Sequence, residues 1–329
     1  MAVLARPRVV VTRRLPDAIE ARMRELFDVV PLAEERPPSP DRLAALIADA
    51  DVLVPTIVDR IDATLIAAAG PRLKLIANYG NGVDHIDLAA ARARDILVTN
   101  TPGVLTDDAA DMAMALILAV PRRLSEGERL VRSGEWAGWG PTAMLGRRVS
   151  GKKLGIVGMG RIGQAIALRA RGFGIAIHYH NRRRLPHVVE KAVDATYHAE
   201  LDDMLTEIDM LSINCPHNAS THHLIDARRL ALLGRQGYLI NIARGEIVDE
   251  PALIAALEQG VIAGAGLDVF AHEPAVDPRL IGLPNVVLLP HMASATIEAR
   301  HATGEKVIAN IRIWADGHRP PDQVLEGWA

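Results

Sequence analysis

The chain has 329 residues, 49% of them hydrophobic and only 3% aromatic, with a formal net charge of −3 at pH 7. That length accommodates two domains with their own cores of Ala, Val, Leu and Ile, which favours helix-covered parallel sheet over a β-sandwich. The slight negative charge argues against nucleic acid or an anionic membrane as principal partner, and the single cysteine excludes a disulfide framework.

The N-terminal run Met1-Ala-Val-Leu-Ala-Arg-Pro-Arg8 is too short in apolar length for a signal peptide. No apolar run approaches the roughly 18 residues of a membrane helix. The expectation is a cytoplasmic protein. Arg8–Thr12 reads as a strand and Pro16–Phe27 as a helix with its proline near the start. Asp28–Pro31 is a short strand, and the stiff loop Pro37-Pro38-Ser39-Pro40 precedes a helix over Asp41–Ala48. Strands follow at Asp51–Pro55, Leu73–Ala77 and Ile96–Thr99, the first two separated by a helix near Ala63–Ala69. Such βαβ alternation implies a parallel sheet covered on both faces.

Within this part, Asn78-Tyr79-Gly80-Asn81-Gly82-Val83-Asp84-His85 follows a strand at its carboxyl end, where ligands of open α/β sheets bind. Its glycines allow successive N–H groups to converge on a carboxylate. An ordinary glycine-rich βα turn would look the same. Asp84 and His85 read as helix-start residues, Asp84 as a cap.

Thr99–Gly103 reads as a crossing linker, Asp107–Val120 as a helix buried nearly all round, and Arg122–Arg132 as a charged helix. Two of the four tryptophans, Trp136 and Trp139, then fall among glycines outside any periodic element. They mark an interface or cover their own domain.

Next, Lys153–Val157 is an apolar strand running into Gly158-Met159-Gly160-Arg161-Ile162-Gly163 and a helix over Gln164–Arg171. This is the dinucleotide fingerprint in its proper strand–turn–helix setting. The first glycine permits the tight turn, the second admits a pyrophosphate, and the third lets helix and strand pack closely. The helix N-terminus then faces the phosphate charge. After a second strand, Ile175–Tyr179, comes Asn181-Arg182-Arg183-Arg184, about 20 residues past the glycines. An NAD site carries a carboxylate there for the ribose 2′-OH. Arginines would instead pair with a 2′-phosphate, so the turn favours NADP(H) over NAD(H).

The remaining strands are Asp209–Asn214, Gly237–Asn241, Ile262–Leu267 and Asn285–Leu289. Helices are expected at Ala227–Leu233, Asp249–Gln259 and about Ser294–Ala315, and the tail Gly317–Ala329 lacks periodicity. Cys215, in the run Met210-Leu-Ser-Ile-Asn-Cys, reads as a buried small residue rather than a nucleophile. Arg244, Glu273 and His291 each fall just past a strand end, on the rim that the glycine turn shares. A 2-oxo acid acceptor needs a bidentate cation, which a guanidinium supplies, and a proton at its carbonyl oxygen, which an imidazolium supplies. A glutamate beside the histidine would favour the charged imidazole.

These residues carry a resemblance. Asn78–His85, Gly158–Gly163, Ile240-Asn-Ile-Ala-Arg-Gly245, Gly266-Leu-Asp-Val-Phe270, Glu273-Pro274 and His291-Met-Ala-Ser-Ala-Thr296 are similar to the motifs of the D-isomer-specific 2-hydroxyacid dehydrogenases, along essentially the whole chain. The resemblance implies two Rossmann-like, doubly wound parallel-sheet α/β domains with a cleft between them. One is a discontinuous, flavodoxin-like substrate domain (1–100 and 291–329), the other an NAD(P)-binding domain (101–290) with a dimerisation segment at about 120–146. It implies that Arg244, Glu273 and His291 are catalytic, and that Asn81 and Gly82 hold the substrate carboxylate through backbone amides. Ile242, Pro216, Asp268 and Ser294 are implied to line the nicotinamide side, with Arg161, Ile162, Cys215, Ala243, Arg244 and His291 completing the cofactor contacts.

Trp139–Gly146 and the arginine turn are most similar to glyoxylate/hydroxypyruvate reductases. That subgroup implies a homodimer in which Trp139 of the partner subunit reaches the substrate pocket. One departure is Ala293, where the family usually has glycine; it bears on the local backbone beside the nicotinamide. The implied activity is NADPH-preferring reduction of glyoxylate and hydroxypyruvate, with no metal, nucleic acid or membrane involved. The alternatives are an NAD-linked dehydrogenase of bulkier or phosphorylated acids, and a dinucleotide-sensing regulator without catalysis.

Overall fold

A computed structural model of the chain describes residues 6–30 and 38–325. The chain divides into two compact units, one holding the residues up to Leu105 and those from Ala295 onward, the other Thr106–Ser294. Residues 101–105 therefore go with the first unit and 291–294 with the second, which differs at both crossings from the boundaries expected at 100 and 290. In the first unit strands and helices alternate as β1 (Arg8–Val11), α1 (Asp17–Leu26), β2 (Asp28–Val30), α2 (Pro40–Ile47) and β3 (Val52–Val54). They continue as α3 (Ala63–Ala68), β4 (Leu75–Ala77), α4 (Leu88–Ala93) and β5 (Leu97–Thr99).

The second unit opens with α5 (Thr106–Ala119), α6 (Leu124–Ser133), β6 (Lys153–Val157), α7 (Arg161–Gly172) and β7 (Ala176–His180). Then come α8 (His187–Val193), β8 (Ala195–His198), α9 (Leu201–Glu207), β9 (Met210–Ile213) and α10 (Ala227–Leu233). It closes with β10 (Tyr238–Asn241), α11 (Glu250–Glu258), β11 (Gly264–Leu267), α12 (Pro278–Gly282) and β12 (Val286–Leu288). Finally α13 (Ile297–Ala315) returns to the first unit.

The first sheet has the order β2-β1-β3-β4-β5, with every neighbouring pair parallel. Side chains alternate along a strand, so Val10 enters one core while Val9 and Val11 enter the other. Helices α2, α3 and α4 cover the Val10 face through Leu43, Ile47, Leu65, Ile66 and Ala91. Ile19 and Met23 of α1 cover the opposite face together with Val307, Ile308, Ile311 and Trp314 of α13. Gly304 permits that approach, because a Cβ there would lie 2.6 Å from Ile19 Cγ1.

The second sheet, β12-β11-β10-β9-β6-β7-β8, is also parallel throughout. Its order reverses between β6 and β9, and at such a switch point the carboxyl ends of the strands leave a crevice. Helices α5 and α7 bury Ala113, Ile117, Ile166 and Ala170 against one face. On the other, α9, α10 and α11 bury Met204, Leu205, Leu230, Leu253 and Ile254.

Two expectations need correction. Asp84 and His85 do not start a helix but form a turn, closed by the N–H of Ile86 donating to Val83 O. The N–H of Ile61 donates to His85 O and the N–H of Asp87 to Ile61 O, which bridges Ile86 to Ile61. Asp87 is the cap, accepting from the N–H of Ala90. Helix α5 is not buried nearly all round: Asp107, Asp111 and Ala115 line an exposed face, and both aspartates pair with Arg169 of α7. The aperiodic tail pairs with the first sheet, where the N–H of Val324 donates to Val98 O beside β5.

Elements α8, β8 and α12 are absent from the sequence reading. Edge strand β8 has 4 residues, with only Ala195 and Tyr197 to mark its apolar face, and α12 spans 5 residues. Residues 1–5, Pro31, Pro37 and 326–329 lie outside the described residues. Among the described residues no helix is long and apolar enough to cross a membrane.

Candidate active site

At the carboxyl end of β6 the glycine turn shows three different steric requirements. Gly158 has φ +93°, and a Cβ on it would lie 2.5 Å from the backbone N of Cys215, so β9 crosses directly against the turn. Gly163 packs so closely that a Cβ would strike Gly158 O and approach Ile156 Cγ2 to 3.1 Å. A Cβ on Gly160, the N-cap of α7, would meet nothing within 4 Å. Open space above a helix N-terminus fits a pyrophosphate. Asn214 Oδ1, buried and without a hydrogen-bond partner, lies at the end of the adjoining β9.

The four residues expected to read the cofactor ribose do not behave alike. Asn181 Oδ1 accepts from the N–H of Met159 at 2.8 Å, so it ties the glycine turn to the end of β7. Arg184 is engaged elsewhere. Its Nε and Nη2 donate to the two oxygens of Glu190, at 2.8 and 3.0 Å, and these bonds with that of the Tyr179 hydroxyl hold the Glu190 carboxyl down to about 2. Arg182 and Arg183 are exposed, as is Arg184 despite its pairing with Glu190. Burial pushes the Cys215 thiol up to about 11, with the charge of Arg182 acting in the opposite sense. Such a thiol is no nucleophile at neutral pH.

Arg244, Glu273 and His291 come together past the ends of β10, β11 and β12. The turn carrying Arg244 is braced by Asn241, whose Nδ2 donates to Arg244 O at 2.8 Å and whose Oδ1 accepts from the N–H of Ala243 at 3.0 Å. Gly245 lets this turn lie on the next, because a Cβ there would strike the Phe270 carbonyl. His291 has φ +53°, a left-handed backbone that is uncommon outside glycine. It is held there by Asp268, which is wholly buried and accepts from the N–H groups of Met292 and Ala293 at 2.7 Å each. Burial pushes the Asp268 carboxyl up, only partly offset by those two bonds and the charge of His291.

His291 Nδ1 lies 2.7 Å from Glu273 Oε2, and Glu273 Oε1 accepts from the N–H of Phe270 at 3.0 Å. Burial works to raise the Glu273 carboxyl, but the hydrogen bond and charge of His291, the Phe270 N–H and the charge of Arg244 bring it below its ordinary value. An ionised carboxylate only accepts, so the hydrogen of this pair resides on Nδ1 and Nε2 remains the nitrogen that can exchange a proton. Side-chain exposures of 22% for His291 and 24% for Glu273 leave the pair open to a small molecule. Ile242, Ala243 and Ser294 are half-buried on the same rim, with Pro216 exposed.

In the first unit, the loop after β4 is braced from within. Asn78 Nδ2 donates to the carbonyls of Gly80 (3.0 Å) and Gly82 (2.8 Å), and Asn100 Nδ2 donates to that of Asn81 (2.8 Å). A trans peptide points its N–H away from its C=O, so the N–H groups of Asn81, Gly82 and Val83 face the opposite side of the loop. Trp139 and Trp136 are 86% and 58% exposed in their loop. Sequence reasoning missed Asn78, Asn100, Asn241 and Gly245 as bracing residues; their places in the motif runs could have flagged all but Asn100, which lies in the Thr99–Gly103 crossing.

The sequence profile of the D-isomer specific 2-hydroxyacid dehydrogenase NAD binding domain matches residues 114–293. The chain is 45% identical over 323 residues to a glyoxylate reductase of Thermococcus onnurineus, covering 97% of this chain and 96% of that one. Among solved structures it is similar to an NADPH-dependent glyoxylate/hydroxypyruvate reductase of Sinorhizobium meliloti in complex with NADP and malonate. The TM-score is 0.87 at 39% identity, over 98% of this chain and 97% of the other. A glyoxylate reductase of Paecilomyes thermophila gives a TM-score of 0.86 at 32% identity, over 98% and 99%. With two parallel sheets, and with the glycine turn and the Arg244, Glu273 and His291 rim both on the second, the chain belongs to the D-isomer specific 2-hydroxyacid dehydrogenases and is an NAD(P)-dependent oxidoreductase.

Proposed function

We propose that this enzyme reduces small 2-oxo acids, glyoxylate and hydroxypyruvate foremost, with NADPH preferred. The observation that carries the reading is the His291–Glu273 pair beside Arg244. Arg244 holds the substrate carboxylate and polarises the carbonyl oxygen through its planar fork. His291 Nε2 gives its proton to that oxygen, and Glu273 keeps the imidazole oriented through Nδ1. The cofactor, when bound, supplies the hydride to the carbonyl carbon. The outward N–H groups of Asn81 and Gly82 serve the substrate carboxylate, in keeping with the braced loop. Two relatives named for glyoxylate reduction, one of them NADPH-dependent, support the substrate and cofactor choice.

A homodimer is part of the same reading. Leu124, Val131, Trp136, Trp139 and Leu145 are all more than half exposed within one segment of the second unit. Apolar exposure of that kind marks an interaction surface, and Trp139 of the partner subunit would then help close the substrate pocket.

The tests separate these parts. In steady-state kinetics with glyoxylate, His291→Ala lowers kcat by about 10²–10⁴-fold, the worth of positioned acid–base catalysis. Asn78→Ala, which frees the loop carbonyls, acts mainly by raising KM. Near wild-type turnover in the first variant removes His291 from the proton transfer, and an unchanged KM in the second removes the loop from substrate binding.

Joint replacement of Arg182 and Arg183 by Ala raises the KM for NADPH at least about tenfold, the scale of one lost charged hydrogen bond, and leaves that for NADH within about twofold. Equal losses for both cofactors would mean that the turn does not read a 2′-phosphate.

Sedimentation equilibrium gives a dimer for the wild type, whereas Trp136→Ala/Trp139→Ala weakens assembly or raises KM. A monomer at all working concentrations rejects the shared pocket.

For Glu273, the folded-state carboxyl titrates below its ordinary value. Its contribution to stability is therefore present above the unfolded pKa and is lost as pH falls through the folded one. In urea unfolding, the advantage of the wild type over Glu273→Gln accordingly shrinks from neutral pH to about pH 3. A pH-independent difference would show that the ion pair is not its source.

A further inference from the structure

Away from the nicotinamide rim, β7 and β8 bring two histidines together inside the second unit. His178 is 8% exposed, and its Nδ1 lies 2.8 Å from His198 Nε2. The ring centroids are 5.1 Å apart and the ring planes are inclined by 32°. Glu207, exposed at the C-terminal end of α9, brings a carboxylate to the same place. One ligand atom from each of the three residues lies within 4.8 Å of the others, and among the described residues this is the one such convergence of His, Cys, Asp and Glu.

We propose that His178, His198 and Glu207 form a binding site for a divalent transition metal of Zn²⁺ type, which fastens β7, β8 and α9 together. Two imidazole nitrogens and one carboxylate oxygen are a ligand set for such an ion, and three protein ligands leave a fourth position for water. With bonds of about 2.0–2.1 Å, tetrahedral ligand atoms lie roughly 3.3 Å apart. The two nitrogens therefore separate by about half an ångström, and the exposed Glu207 closes by a change of rotamer.

Without metal, the two ring nitrogens form an ordinary hydrogen bond in which one donates and the other accepts. The ion takes the place of that shared hydrogen, which moves to the far nitrogen of its own ring, so that both imidazoles bind as neutral ligands. Of the neighbouring charges, Lys153 on β6 opposes a cation at His178 and Glu207 favours one. His178 lies on the strand that delivers Asn181 and the exposed arginines, and His180 Nδ1 contacts His198 O at 3.1 Å. The clip thus holds the sheet edge from which the cofactor-reading turn projects, and it is independent of which dinucleotide or 2-oxo acid the enzyme uses.

The test uses the full chain stripped with a chelator and titrated with Zn²⁺ against a chromogenic competitor. One Zn²⁺ binds per chain, Tm rises on addition and reverts with chelator, and Co²⁺ in its place gives the intense visible absorption of a tetrahedral site. His198→Ala and the surface variant Glu207→Gln each weaken Zn²⁺ binding at least about tenfold. His217→Ala, which breaks the other close histidine pair (His217 Nε2 to His222 Nδ1, 3.2 Å), leaves it intact. No stoichiometric binding by the wild type overturns the proposal. So does binding that survives both His198→Ala and Glu207→Gln, or binding that is lost in His217→Ala.

Discussion

Burying a carboxylate costs several kcal/mol unless hydrogen bonds replace the water it gives up, and Asp268 recovers part of that cost from the N–H groups of Met292 and Ala293. The exchange fixes more than one side chain. Two amides held by one carboxylate define the backbone just past β12, including the left-handed conformation of His291. Only with that backbone does Nδ1 meet Glu273 at 2.7 Å. Glu273 is in turn fixed by the N–H of Phe270, two residues past Asp268. Asp268 and the Phe270 amide thus fix the two partners of the His291–Glu273 pair, and the rim of the second sheet is organised from beneath.

The same use of side-chain hydrogen bonds recurs in the loops. Asn78 and Asn100 occupy three carbonyls of the loop after β4, which leaves the amides facing outward. Asn241 braces the turn of Arg244 by accepting and donating at once. Asn181 braces the glycine turn by accepting from the N–H of Met159. An amide side chain suits this work because it carries both a donor and an acceptor and no charge to repel an anionic ligand.

Much of the fold was legible because its causes are local. Alternating apolar strands and amphipathic helices announce a parallel sheet, and the glycine spacing follows from collisions that a Cβ would make. The grouping of Arg244, Glu273 and His291 was legible because strand ends of one parallel sheet share a rim. What stayed hidden depends on pairings that only the assembled sheet creates. Asn78 and Asn100 look like loop residues until β4 and β5 lie side by side. Arg184 reads as a free cation until α8, itself missing from the sequence reading, supplies Glu190. His178 and His198 stand 20 residues apart, a spacing without meaning before β7 and β8 pair.

The return of α13 to the first unit has a consequence for how the chain is made. Ribosomal synthesis delivers β1 to β5 first, yet the face of that sheet holding Val9, Val11, Val52 and Leu75 is completed by α13, which emerges after the whole second unit. Domains usually fold as they leave the ribosome. Here the second unit, uninterrupted from Thr106 to Ser294, is able to do so, whereas the first must wait with one apolar face half-covered. The nascent chain thus passes through a stage in which its earliest-made part is its least finished, the stage at which it would most need the protection of a chaperone.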